Sequence, residues 1–455
     1  MFPPIEPYRI KTVEYIKLLS REERERRIKE AGFNLFNLRS EDVFIDLLTD
    51  SGTSALSDYQ WAGLLIGDEA YAGARNFYNL ENTVRDIFGY KNVIPVHQGR
   101  AAEHLFFSNV VKAGDFVLAN THFDTTRANV EHLGASAVDC CIDTEIEKEH
   151  PFKGNMDLAK LESAIKRYGR DKIPLVIMTV TNNSVGGQPV SMDNVRQAKK
   201  ILDKHEIPLY FDACRFAENA YFIKKREKEF ENRSLKSIAQ EMFSYGVGCT
   251  MSAKKDGLSN MGGFFACNDD TLAEKFTNLL VLFEGFKTYG GLAGRDLESI
   301  SRGLQEVVDE NYLSFRVSQV AYLGEKLSSL GVPIVKPTGG NAVFVEAAGF
   351  LNHIPKENYP GQALAVALYR EGGVRTVEIG GMMWAKKDKV TGELSFPKND
   401  FVRLAIPRRV FTNSHMDYVA SCFEEIKNKK CEIRGLKIVY EAPWLRHFTV
   451  RMEEI

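Results

Sequence analysis

A lysine pair, Lys254-Lys255, follows an acid-and-arginine motif, Asp212-Ala-Cys-Arg215, with 43 positions separating Asp212 from Lys255. The apolar run Ile207-Pro-Leu-Tyr-Phe211 predicts a strand that delivers Asp212 to its end, with Arg215 just beyond. These residue types suit pyridoxal 5'-phosphate (PLP). A lysine amine condenses with the aldehyde, a carboxylate pairs with the pyridinium nitrogen, and a cation steadies the ring oxygen. A lysine pair alone is more often a solvated surface; the upstream partner makes the difference. Facing a pyridinium, Asp212 would keep the ring nitrogen protonated and the ring a strong electron sink, as α-carbanion chemistry requires.

Other residues could complete such a site. Gln98-Gly99-Arg100 lies between the apolar run Val93–Val96 and a predicted helix. A glycine there frees N–H groups for a phosphate, although a plain turn explains the same pattern. Ser252, just before the lysine pair, could add a hydroxyl to that phosphate. Phe123 follows a predicted strand and could stack on a pyridine ring; its other reading is a core aromatic. Arg403 sits in an apolar strand pattern, where it needs a buried anion, either a substrate carboxylate or a structural partner.

The elements that must position these residues alternate through the middle of the chain. Strands are predicted over Phe116–Asn120, Ala135–Ile142, Leu175–Val180, Pro208–Asp212 and Gly262–Cys267, with helices between them. Short apolar strands separated by helices predict a mainly parallel sheet covered on both faces, with ligands beyond the strands' carboxyl ends. A charged helical stretch, Arg295 to Leu330, leads into a smaller α+β region with strands over Ala342–Ala348, Val374–Ile379, Val402–Ile406, Lys437–Tyr440 and Phe448–Met452. The expected division is an N-terminal arm at 1–20, a small α+β domain from 21–56 and 311–455, and a large α/β domain over 57–310. Capping boxes are predicted at Ser20-x-x-Glu23 and Ser57-x-x-Gln60.

With 455 residues, 44% hydrophobic and 26% charged, the chain reads as an ordinary globular protein with room for two lobes. A net charge of −2 gives no footprint for nucleic acid or an anionic membrane. No membrane-spanning run or signal segment is apparent. Seven cysteines, an odd number without Cys-x-x-Cys spacing, argue against a disulfide framework or zinc and favour the cytoplasm.

Seven stretches together resemble the tryptophanase and tyrosine phenol-lyase family of β-eliminating, fold-type-I PLP enzymes. They are Ile-Asp-Leu-Leu-Thr-Asp-Ser-Gly-Thr (45–53), Gly-Asp-Glu-Ala-Tyr-Ala-Gly (67–73), His-Gln-Gly-Arg (97–100), Gly-Gly-Gln-Pro-Val-Ser-Met (186–192), Thr-Met-Ser-Ala-Lys-Lys-Asp (250–256), Tyr-Gly-Gly-Leu-Ala-Gly-Arg-Asp (289–296) and Gly-Leu-Lys-Ile-Val-Tyr-Glu (435–441). Ala253 replaces the family's usual glycine.

The resemblance implies that Lys255 holds PLP and Asp212 pairs with its nitrogen. Arg215 then meets the ring oxygen, and Gln98, Gly99, Arg100 and Ser252 hold the phosphate. It places Asn183, Arg403, Thr49, Ser51, Phe36 and Ile379 at the substrate or cofactor. Tyr71 becomes a proton donor reaching in from a neighbouring subunit of a homotetramer, a dimer of dimers. Glu69, with the carbonyls of Gly52 and Asn260, matches the ligands of a potassium ion.

The implied substrate is L-tryptophan, cleaved to indole, pyruvate and ammonia; the alternative is L-tyrosine, cleaved to phenol. Tyrosine phenol-lyases typically carry threonine, arginine and phenylalanine where this chain has Asp124, Ile379 and His447. Protonating indole at C3 puts positive charge on its ring N–H, which a carboxylate such as Asp124 stabilises.

Overall fold

The computed structural model describes residues 3–387, 393–443 and 445–455. The chain divides into two compact units. The first comprises Met1–Ile5, Ser51–Thr144 and His150–Val317, and the second Glu6–Asp50, Glu145–Glu149 and Ser318–Ile455.

A seven-stranded sheet runs through the first unit in the order Asn92–Val96, Gly263–Cys267, Gly248–Ser252, Leu209–Asp212, Val176–Thr179, Phe116–Ala119, Ser136–Asp139. Gly263–Cys267 is antiparallel to both neighbours and every other adjacent pair is parallel. The four strands from Gly263–Cys267 to Val176–Thr179 are buried at every position, which is why Gly263–Cys267, Leu209–Asp212 and Val176–Thr179 read as nearly continuous apolar runs.

Successive side chains still point to opposite faces. Phe211 and Phe264 join one core cluster while Tyr210 and Phe265 join another. Each such side chain contributes roughly 1.5–3 kcal/mol by leaving water. Helices such as Met192–Lys204, capped by Ser191, press an apolar stripe (Val195, Ala198, Ile201, Leu202) onto the sheet. The parallel strands therefore deliver their carboxyl ends to one edge.

In the second unit, Phe401–Ala405 lies antiparallel between Ala342–Glu346 and Val377–Ile379. Helices Arg21–Glu30, Pro360–Gly372 and Asn413–Asn428 contribute their apolar faces to this unit's core. The capping boxes at Ser20 and Ser57 form as predicted.

Three predicted elements are corrected. Arg295–Leu330 is two helices, Gly294–Val307 and Glu310–Ser329, because the Asp309 carboxylate accepts the Tyr312 N–H (2.8 Å) and starts a new helix. Val374–Ile379 breaks into Val374–Arg375 and Val377–Ile379, which belong to different sheets. Phe448–Met452 begins instead in a tight turn, Arg446–Phe448, with its strand at Arg451–Glu454. Among the described residues, no helix is long and apolar enough to cross a membrane, and all seven cysteines are free.

Candidate active site

Asp212 ends its strand in register with Thr179 on one side and Thr250 on the other. It is 9% exposed, and its Oδ1 accepts the Cys214 N–H at 3.2 Å. The chain then turns: the Arg215 N–H donates to the Val180 carbonyl at 3.0 Å, and Arg215, itself buried, leads into helix Phe216–Arg226.

Lys255 sits in the turn that follows strand Gly248–Ser252, closed by the Leu258 N–H on its carbonyl at 2.9 Å. The next residue, Asp256, is fully buried. Its Oδ2 accepts the N–H groups of Ala217 (2.8 Å) and Glu218 (3.2 Å), and its own N–H donates to the Cys214 carbonyl. The carboxylate thereby caps the helix that begins after Arg215 and ties the lysine turn to it. Sequence reasoning missed Asp256, because a cap 39 positions from the residue it meets leaves no local motif. Burial, then the neighbouring cations Lys255 and Arg100, hold Lys254 below the ordinary lysine range.

Gly99 opens helix Gly99–Val110, and Gln98 bridges to Gly262. A Cβ on Gly99 would stand 2.7 Å from the Ser252 Cβ, so only glycine lets this helix start approach the strand end so closely. The result is a cradle of leading N–H groups beside the Ser252 hydroxyl.

Phe123 precedes helix Asp124–His132, where the buried Asp124 accepts the Thr125 N–H at 2.7 Å. Glu103, one turn along the helix from Gly99, accepts the hydroxyls of Thr125 (2.8 Å) and Thr126. Burial and then Asp212 push its carboxyl up to about 7, with the Thr126 and Thr125 hydroxyls and Lys255 opposing. Glu103 is the second residue missed in the sequence. A glutamate four positions past Gly99, on the same helix face, was its signal.

Asn183 lies in a turn beyond strand Val176–Thr179, closed by reciprocal backbone bonds between Asn182 and Gln188.

Gly52 and Asn260 are brought together. The Gly52 N–H donates to the Lys254 carbonyl (2.7 Å), and the Asn260 amide donates to the carbonyls of Gly52 (3.1 Å) and Ser54 (3.0 Å). Ser51 adjoins them in the chain. Glu69 is held at the start of helix Gly294–Val307, accepting the Gly294 N–H (3.2 Å) and pairing with Arg295. Tyr71 is 72% exposed, edge-on to Tyr289 at 5.2 Å and stacked on Phe286; a hydrogen bond with Tyr289 raises its phenol pKa.

The remaining predicted residues lie in the second unit. Arg403, on the central strand, is buried and donates to the Leu48 carbonyl at 3.2 Å, beside Thr49 in sequence. Ile379 joins an apolar cluster against which Phe36 and Leu48 pack. Phe36 also meets His447 edge-on at 6.1 Å, and the buried His447 carbonyl accepts the Asn34 amide.

A family profile described as beta-eliminating lyase matches residues 46–422. The chain belongs to the beta-eliminating lyase family. It is 55% identical to a tryptophanase of Salinibacter ruber, over 98% of this chain and 95% of that one. It is also 52% identical to a tyrosine phenol-lyase of Symbiobacterium, over 100% and 99%. Its fold resembles an aromatic aminotransferase of Pyrococcus horikoshii (TM-score 0.61, 13% identity, 91% of this chain and 100% of that one). The fold is therefore that of fold-type-I PLP enzymes, and this beta-eliminating lyase is a PLP-dependent enzyme acting on a small molecule.

The donors present fit that cofactor. The glycine-floored cradle at Gly99 and Ser252 suits a phosphate, the Asp212 carboxylate suits a protonated ring nitrogen, and the Lys255 amine suits condensation with an aldehyde.

Proposed function

We propose that this enzyme cleaves L-tryptophan to indole, pyruvate and ammonia by β-elimination. The observation that carries the reading is the buried carboxylate of Asp124 directly after Phe123. When bound, PLP supplies the electron sink for the substrate's α-carbon. Gln98, Gly99, Arg100 and Ser252 hold its phosphate, Phe123 stacks on its ring, and Asp212 and Arg215 fix its nitrogen and ring oxygen. Lys255 would anchor the cofactor, and its amine would take the substrate's α-proton.

Arg403, for the substrate carboxylate, and Asn183, Thr49, Ser51, Phe36 and Ile379 are the proposed substrate-contacting residues. Tyr71 donates a proton at the leaving group. Asp124 stabilises the positive charge that C3 protonation puts on the indole N–H, and His447 is proposed as a further catalytic residue. An apolar Ile379 offers no partner to a phenol hydroxyl, and unpaired polar groups discriminate by factors of ~10⁴ or more. Tyrosine cleavage is the second reading, favoured by the similar identity to relatives of both names.

Potassium is proposed at the carbonyls of Gly52 and Asn260 with Glu69. A homotetramer of paired dimers is supported by Tyr71 and by the exposed Trp61, Leu65, Leu282 and Phe283. The cytoplasm is proposed as its home.

A product assay on tryptophan and tyrosine, with PLP and potassium present, tests the reading. Indole release should exceed phenol release, and Asp124→Thr should abolish indole release while substrate α-proton exchange continues. Faster phenol release, or full tryptophan activity in Asp124→Thr, would overturn it.

A further inference from the structure

The turn that carries Phe123 and Asp124 is anchored by a histidine–aspartate pair to which the reaction above assigns no role. The His122 residue is 2% exposed. Its Nδ1 lies 2.7 Å from Asp139 Oδ1, and its backbone N–H donates to the same oxygen at 2.9 Å. The other oxygen of Asp139 pairs with Arg127, which belongs to helix Asp124–His132. One carboxylate, at the end of edge strand Ser136–Asp139, thus grips the chain on both sides of Phe123-Asp124. Burial pushes the Asp139 carboxyl up, but His122 and Arg127 outweigh it and hold it below the usual range.

A carboxylate offers only lone pairs, so Nδ1 must carry the hydrogen. The opposite nitrogen, Nε2, is buried and meets no hydrogen-bond partner among the described residues. Packing alone does not account for this arrangement, because a phenylalanine ring would fill similar space without burying an unmatched nitrogen. The bond at Nδ1 is what the imidazole adds. The same turn is stitched to the one bearing Asn183: Ser184 Oγ donates to the His122 carbonyl at 3.2 Å, and Thr121 Oγ1 donates to Asn182 Oδ1 at 2.5 Å.

We propose that His122 is a positioning residue for leaving-group discrimination, holding Asp124 through the Nδ1–Asp139 bond where it meets the departing ring's N–H. This rests on the tryptophan reading above. The test compares two substrates. Tryptophan needs its leaving group protonated and met by Asp124; β-chloroalanine loses chloride and needs neither.

In His122→Phe, kcat on tryptophan should fall roughly tenfold or more while turnover of β-chloroalanine changes less than about threefold, since only the interaction made with the leaving ring is disturbed. PLP affinity, titrated into the cofactor-free protein, should stay within about twofold, because the phosphate cradle, Asp212, Arg215 and Lys255 lie on other elements and Phe123 is one contact among these. His122→Asn, whose amide can donate from near the Nδ1 position, should restore most of the tryptophan rate; His122→Gln should not. Asp139→Ala should reproduce the His122→Phe split, and it carries the comparison if His122→Phe does not fold.

Equal losses on both substrates, no loss on tryptophan, or no rescue by asparagine would overturn the proposal. A wild-type enzyme that releases phenol rather than indole would instead overturn the reading beneath it.

Discussion

The first unit meets its buried carboxylates one at a time: Asp256 with the N–H groups of Ala217 and Glu218, Glu103 with the hydroxyls of Thr125 and Thr126, Asp212 with the N–H of Cys214. The second unit sets two against each other. Glu378 accepts the N–H groups of Met382 and Met383, Asp400 those of Gly361 and Gly381, and the two carboxyl groups share a hydrogen bond. Burial, then Asp400, raises the Glu378 carboxyl far above its usual range, so Glu378 keeps the proton and donates it. So close is the packing that a Cβ on Gly380 would overlap Asp400 Oδ1. A mutual pair is complete within the fold and serves the turn after Ile379. A carboxylate at a strand end, met by the N–H and side chain of Cys214, keeps further lone pairs for a ligand. Burial alone therefore does not mark a functional acid; what remains unmatched around it does.

Three substitutions probe that contrast. The largest effect is expected at Asp212→Ala, which should lower kcat by about 10³ or more, since the ring loses its counter-charge. Thermal unfolding should barely move. A variant that unfolds while its remaining fraction turns over normally would place Asp212 among structural acids.

Glu103→Gln comes next. A carboxyl raised from 4.5 to about 7 lends stability that is fully present below pH 4.5 and lost as pH rises through about 7. The difference corresponds to on the order of 3 kcal/mol. In the cofactor-free protein, melting temperature should therefore fall more steeply across that window in the native chain than in the glutamine variant. Parallel curves would show that Glu103 ionises without cost.

The smallest effect is expected at Glu378→Gln, which keeps a donor for Asp400 but cannot ionise. A raised folded pKa makes stability drain away as pH rises through it, so the two proteins should melt alike in mild acid. The variant should gain at alkaline pH, by roughly 1 kcal/mol or a few degrees, with kcat unchanged. A loss of activity would draw the pair into the site.

The strands Val176–Thr179 and Leu209–Asp212, their parallel pairing and the strand-end placement of Asp212 were legible because fully buried strands are mostly apolar. Gly248–Ser252, buried just as fully but carrying Thr250 and Ser252, was not legible as a strand. The lysine turn and the Gly99 helix start were legible because their chemistry is carried by adjacent residues. The break at Asp309 was not, since a single cap inside a long helical pattern competes with strong periodicity on both sides. Asp256 and His122 were invisible for another reason: each acts on a partner from a different element, across separations of 39 and 17 residues, and Glu103 left only its place on the Gly99 helix face as a trace.

By itself, then, the sequence determined the types of chemistry available and the elements that carry them. Residue identity sets ionisation and nucleophilicity, and the period of apolar residues sets helix or strand. Only the tertiary structure decided which acid caps a helix, which shares a proton and which still faces a ligand. Those outcomes depend on desolvation and on donors that other segments bring within about 3 Å, and neither is encoded in local spacing.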